Sequence, residues 1–114
     1  MAQREFHDWE SILIKKLLSN IDDNVKLLSQ FNAAKAENLN PDGSIVSIKF
    51  PGQSANSSGQ EVLSEGVIFD SDNKRVEIIL FVNSNDELFE LELVKYEDDD
   101  ISYPLKLNTL ELLK

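Results

Sequence analysis

The chain has 114 residues, with 21 Asp and Glu against 11 Lys and Arg, a formal charge of -10 and no cysteine. That length suits one hydrophobic core, so a single α+β domain over 1–114 is expected, and the lack of cysteine excludes a disulfide scaffold, a thiolate zinc site and a cysteine nucleophile. The charge repels nucleic-acid phosphates and anionic membrane surfaces, while it speeds the encounter with a cationic protein.

The N-terminal stretch "MAQREFHDWESILIKKLLSN" has its apolar run broken by Lys15 and Lys16. No secretory signal is expected there, and no run approaches the roughly 20 apolar residues of a membrane span. A cytoplasmic protein is the expectation. Within the stretch, Phe6, Trp9, Leu13, Leu17 and Ile21 recur at spacings of three and four, with Ile14 and Leu18 widening the stripe. This predicts an amphipathic helix from about Asp8 to Asn20, with Asp8 as N-cap and Glu10 in the first turn. "NIDDN" interrupts it, and a short second helix follows over about Asn24 to Gln30. The two form a helical hairpin.

From Phe31 onward the period changes to two. In "SIVSIKF", Val46, Ile48 and Phe50 alternate with Ser47 and Lys49, which predicts a half-buried strand. "NAAKAENLNPDGS" supplies its hairpin partner, with Pro41-Asp42-Gly43 as the turn. "PGQSANSSGQ" reads as a loop. Three strands follow in "EVLSEGVIFD", "RVEIILFVN" and "LFELELVKY", and their short connections demand antiparallel neighbours. Val76, Ile78, Leu80 and Val82 share one face of their strand, and Phe89, Leu91 and Leu93 share one face of the next. The last segment, "ISYPLKLNTLELLK", is either a docked terminal strand or a helical turn. The expected fold is α+β: an N-terminal helical hairpin packed on an antiparallel β-meander of about four to five strands.

Three sets of residues invite a chemical reading. Asp70-Ser71-Asp72-Asn73 begins like a calcium loop, but Lys74 stands where the next ligand belongs, so a hairpin turn is expected. His7 is the single histidine and Trp9 the single tryptophan. The first is expected only to start a helix, the second to pack in the core. The carboxylates of "DELFELELVKYEDDD" are more suggestive. Glu90 and Glu92 face away from the apolar side of their strand, as Ile79 and Phe81 do on the strand before. Two carboxylates at glycosidase spacing need a cleft, and a small meander offers little concavity. No catalytic residue, metal or cofactor is expected, and the chain reads as a non-enzyme.

The order of a leading amphipathic helix, a short second helix, "NPDGSI", "EGVIFDSDNKRVEI" and "DELFELELVK" resembles small acidic immunity proteins of polymorphic toxin and contact-dependent growth inhibition systems. The resemblance implies a stoichiometric inhibitor that binds a cognate basic toxin domain, a nuclease above all. A nuclease must be basic to hold phosphate, so a negative surface complements it. On this reading Glu90, Glu92, Glu97, Asp98, Asp99 and Asp100 form the partner-facing surface, with Ile79 and Phe81 as apolar anchors. Glu87, Asp70 and Asp72 at turns are weaker candidates. A general interaction module with an unrelated partner, or a carboxylate-dependent hydrolase, are the alternatives.

Overall fold

The computed structural model describes residues 3–22, 24–40, 43–50, 60–96 and 99–113. It is an α+β fold, with two N-terminal helices against a large antiparallel sheet that does not close into a barrel. The elements are β1 (Gln3–Arg4), α1 (Asp8–Leu18), α2 (Val25–Ala33), β2 (Ala36–Asn40), β3 (Ile45–Lys49), β4 (Glu61–Phe69), β5 (Arg75–Val82), β6 (Leu88–Lys95) and β7 (Lys106–Leu113). The sheet has seven strands in the order β1-β2-β3-β6-β5-β4-β7, where the sequence predicted four or five. One extra strand, β1, has only two residues and pairs Gln3 and Arg4 with Glu37 and Ala36, too short to leave a periodic signal. The other, β7, resolves the open alternative for the last segment in favour of a docked strand.

The helices keep their predicted positions, with shifted ends. His7, not Asp8, occupies the N-cap of α1, and the Glu10 carboxylate reaches back to accept the His7 N–H at 2.7 Å. That reciprocal contact uses an N–H group the helix itself cannot satisfy. Helix α2 runs on to Ala33, so Phe31 belongs to it rather than to the strand region. The Phe31 ring sits 5.1 Å from that of Phe6 and is buried, which explains why the helix extends past Gln30. Leu13, Ile14, Leu17 and Leu18 of α1 and Leu27 and Phe31 of α2 are buried against one face of the sheet.

The sheet side of that core comes from alternate residues. Val76, Ile78, Leu80 and Val82 are all buried, as the alternation in β5 predicts. In β6, Leu91 and Leu93 are buried, but Phe89 is not with them. A register irregularity lies between Phe81 and Val82, which pair with Glu90 and Leu88. It lets Leu88 take the core position, and the half-buried Phe89 ring lies 5.7 Å from the Lys49 ammonium. The meander β4-β5-β6 is present, but β3 pairs with β6 rather than β4. Residues 51–59 of the predicted loop, and Pro41 and Asp42 of the predicted turn, lie outside the described residues.

Gly66 sets how closely β7 lies on β4. A Cβ there would stand 3.0 Å from the Glu111 carbonyl oxygen and 3.1 Å from Leu110 Cδ1. A glycine in a strand interior often marks such a close backbone approach. Gly66→Ala should cost about 1–3 kcal/mol, read by urea unfolding, with faster amide exchange concentrated in β7. Wild-type exchange rates in β7 would contradict this account of the glycine. Among the described residues, no helix is long and apolar enough to cross a membrane.

Candidate functional site

Both helices lie on one face of the sheet, and no described element covers the other. The strand registers lay out this open face row by row. One row runs Lys49–Glu90–Phe81–Val62 across β3, β6, β5 and β4. The next runs Ser47–Glu92–Ile79–Glu65–Leu113 and ends on β7, and the third runs Ile45–Val94–Glu77–Val67–Glu111. Glutamates therefore alternate with apolar side chains in two directions, because each strand turns every second residue outward.

Directly opposed residues on neighbouring strands stand about 5 Å apart at Cβ, which sets Phe81 beside Glu90 and Ile79 beside Glu92. Ile79 and Phe81 are half-buried, while Ile45, Val62, Phe69 and Leu113 are exposed. Arg75 opposes Phe69 at the margin. Tyr96, 71% exposed, donates its hydroxyl to Glu77 at 3.3 Å. A large, amphipathic and rotamer-poor side chain on the rim of an apolar strip is a favourable contact residue. The sequence reading missed Tyr96, although its parity with Glu90, Glu92 and Val94 places it on the same face.

The electrostatics of this face show in Glu90. Its carboxyl is raised above the ordinary value by partial burial and by the neighbouring Glu92 charge, against a Ser47 hydrogen bond and the Lys49 charge. A carboxylate whose ionisation is opposed by a neighbouring charge gains when a cation settles beside it. An incoming ammonium or guanidinium would relieve that repulsion.

Asp99 and Asp100, after β6, lie elsewhere. Lys95 shares parity with Leu91 and Leu93, so its side chain points to the helix-covered side, and it is buried. Its ammonium lies 2.8 Å from Asp70 Oδ2, 3.4 Å from Asp99 Oδ2 and 3.9 Å from Asp72 Oδ2, and it donates to the Asp100 carbonyl at 2.9 Å. Asp70 and Lys95 both have side chains of zero exposure. Burial pushes the Asp70 carboxyl up. Lys95 and the N–H groups of Ser102, Lys74 and Asp72 outweigh that and bring it down to about 2. Hydrogen bonding to Asp70 raises the Lys95 ammonium above its ordinary value, against its desolvation.

The predicted site residues thus divide. Glu90, Glu92, Ile79 and Phe81 come together on the open face. Asp99 and Asp100 are joined to Lys95 and Asp70 near the opposite face, where they tie the chain after β6 to the β4–β5 turn. Glu97 and Asp98 lie outside the described residues. Replacing Asp98, Asp99 and Asp100 together would also disturb this ionic cluster, so the outer glutamates are the cleaner targets. Asp70-Ser71-Asp72-Asn73 is a hairpin turn as predicted, with Asp70 Oδ1 accepting from Asp72 and Lys74. Glu87 sits in the matching turn after β5, where the Asn83 amide donates to its Oε1.

No curated protein and no solved structure matches the chain. A family profile does: that of the domain of unknown function DUF6984 matches residues 3–104, and the chain belongs to that family.

Proposed function

We propose that this chain is a stoichiometric inhibitor that docks a basic protein domain on the open face of its sheet, acting as the immunity partner of a toxin. The observation that carries the reading is the open face itself, where Ile79 and Phe81 are framed by Glu65, Glu77, Glu90 and Glu92. Apolar anchors enclosed by charges of one sign suit a partner with apolar side chains among Lys and Arg. The formal charge of -10 adds long-range attraction for such a partner. The resemblance to immunity proteins names the partner as a toxin domain, and binding alone suffices to neutralise it, so no catalytic residue, metal or cofactor is invoked. The open face is a surface rather than a cleft, which argues against assigning Glu90 and Glu92 a hydrolytic role.

The test is a pull-down with tagged protein from a lysate of its own source, in low and moderate salt, read by mass spectrometry. One basic domain recovered in near-equal amount and released as salt rises is the expected result. A bait that stays empty at low salt, in a lysate where the toxin is shown to be expressed, would overturn the proposal.

A further inference from the structure

On the helix-covered side, a cavity of about 250 Å³ opens between the start of α1, the β1–β3 corner of the sheet and the loop at Tyr103. Its lining is not that of the open face. Val46 and Ile48, both on the core side of β3, make an apolar floor. Trp9 and Tyr103, with ring centroids 5.4 Å apart, form an aromatic wall. Arg4 and Glu10 supply a polar wall as a two-pronged ion pair, with both bonds at 2.8 Å. Their charges cancel, so the cavity presents no net charge of its own.

Among Arg4, Glu10, Asn38 and Trp9 the hydrogen-bonding capacity left over is that of donors, while the His7 imidazole, also on the lining, can act in either sense. Glu10 already accepts from both Arg4 terminal nitrogens and from the His7 N–H. Asn38 Oδ1 accepts from Arg4 at 2.9 Å, which fixes which end of that amide carries the donors. Asn38 Nδ2 and the Trp9 indole N–H donate to no partner among the described residues. Arg4 Nε is buried and also lacks an acceptor. Such a group is a cost a native structure ordinarily avoids, and here it borders a cavity with two further unpaired donors.

We infer that this cavity is a binding site for a small, neutral, planar aryl molecule that presents acceptors, such as an aryl amide. A dry cavity of about 150 Å³ holds one benzene ring, so this one takes a ring with a substituent or two fused rings. The apolar floor and aromatic wall take the ring, and the donors take the carbonyl or ring-nitrogen acceptors. With Arg4 and Glu10 compensating each other, neither an anion nor an ammonium finds a free counter-ion in the cavity, and the charge of the chain disfavours an anion further. The site is independent of the inhibitor reading, since Val46 and Ile48 face away from the open surface that Ser47 joins.

Trp9 is the single tryptophan, so a nitrogen-15 spectrum carries one indole N–H peak and that peak reports the cavity. Benzamide should move it saturably with a millimolar dissociation constant, as fits so small a ligand. Benzoate and benzylamine should bind more weakly. Asn38→Leu should weaken benzamide at least about fivefold through the lost donor. Tyr103→Ala, at an exposed rim position, should weaken it as well. No saturable shift in the folded wild type, or equal binding of all three probes, would overturn the assignment. So would folded Asn38→Leu and Tyr103→Ala proteins that bind as wild type. If both variants fail to fold, the three-probe comparison on the wild type still decides.

Discussion

Asp70→Ala should destabilise the protein by about 3–5 kcal/mol, because it strands a buried ammonium. Lys95 would keep Asp99 at 3.4 Å but lose its 2.8 Å partner, and the β4–β5 turn would lose the acceptor of two backbone N–H groups. Asp70→Asn separates these two effects. In the β5–β6 turn, Asn83 fills the corresponding place and its Oδ1 accepts from Asn85 and Glu87, just as Asp70 Oδ1 accepts from Asp72 and Lys74. An asparagine therefore suits the turn, and what Asp70→Asn removes is the charge. We expect it to lose more than about 2 kcal/mol, or roughly 10 °C in Tm.

The acid side gives a second reading of the same pair. The folded Asp70 carboxyl titrates at about 2, below its ordinary 3.8, so the unfolded chain takes the proton first. The pair's contribution is whole above about pH 4 and is lost as pH falls from there towards about 2. The stability gap between wild type and Asp70→Asn should close over that window. A gap below about 0.5 kcal/mol at neutral pH would mean that Asp99 and Asp100 suffice to hold Lys95.

The open face carries the other large effect. Ile79→Ser with Phe81→Ser should weaken partner binding by at least about 2 kcal/mol, some thirtyfold, mainly through faster dissociation. Both positions face outward from a sheet whose core lies on the other side, so the fold should survive. Glu90→Gln with Glu92→Gln should act differently. It should slow association and reduce the salt dependence of the rate, because it lowers the steering field without removing apolar contact. Surface plasmon resonance at two salt concentrations separates the two behaviours. Anchors without effect on dissociation would remove Ile79 and Phe81 from the interface.

Why the sequence foretold some of this and not the rest is clear from individual residues. In β5 burial alternates without interruption from Val76 to Val82, so counting by two from Val76 was enough to assign both faces, including the outward Ile79 and Phe81. Phe89 was misplaced because a bulge changes parity, and a bulge leaves no mark in a run of apolar residues. Lys95 did leave a signal, since it keeps step with Leu91 and Leu93 on the buried side, as Asp70 does with Ile68. Read without its partner, each looked like a polar strand end, because their contact links positions far apart in sequence. The acidic run 97–100 looked like an extension of the Glu90–Glu92 surface for the same reason. Only the pairing of Lys95 with Asp70 and Asp99 separates Asp99 from that surface. Arg4 and Glu10 escaped notice because the turn between β1 and α1 sets their meeting, and no periodicity describes it.

The central claim is where the partner sits, and a methyl-resolved NMR titration with the captured basic domain tests it most directly. The account predicts shifts or broadening at Ile79, Val62, Val94, Ile45 and Leu113, with Ile12 and Val25 on the exposed sides of the helices unmoved. Perturbation confined to Ile12 and Val25, with Ile79 and Val62 unchanged at saturation, would contradict it.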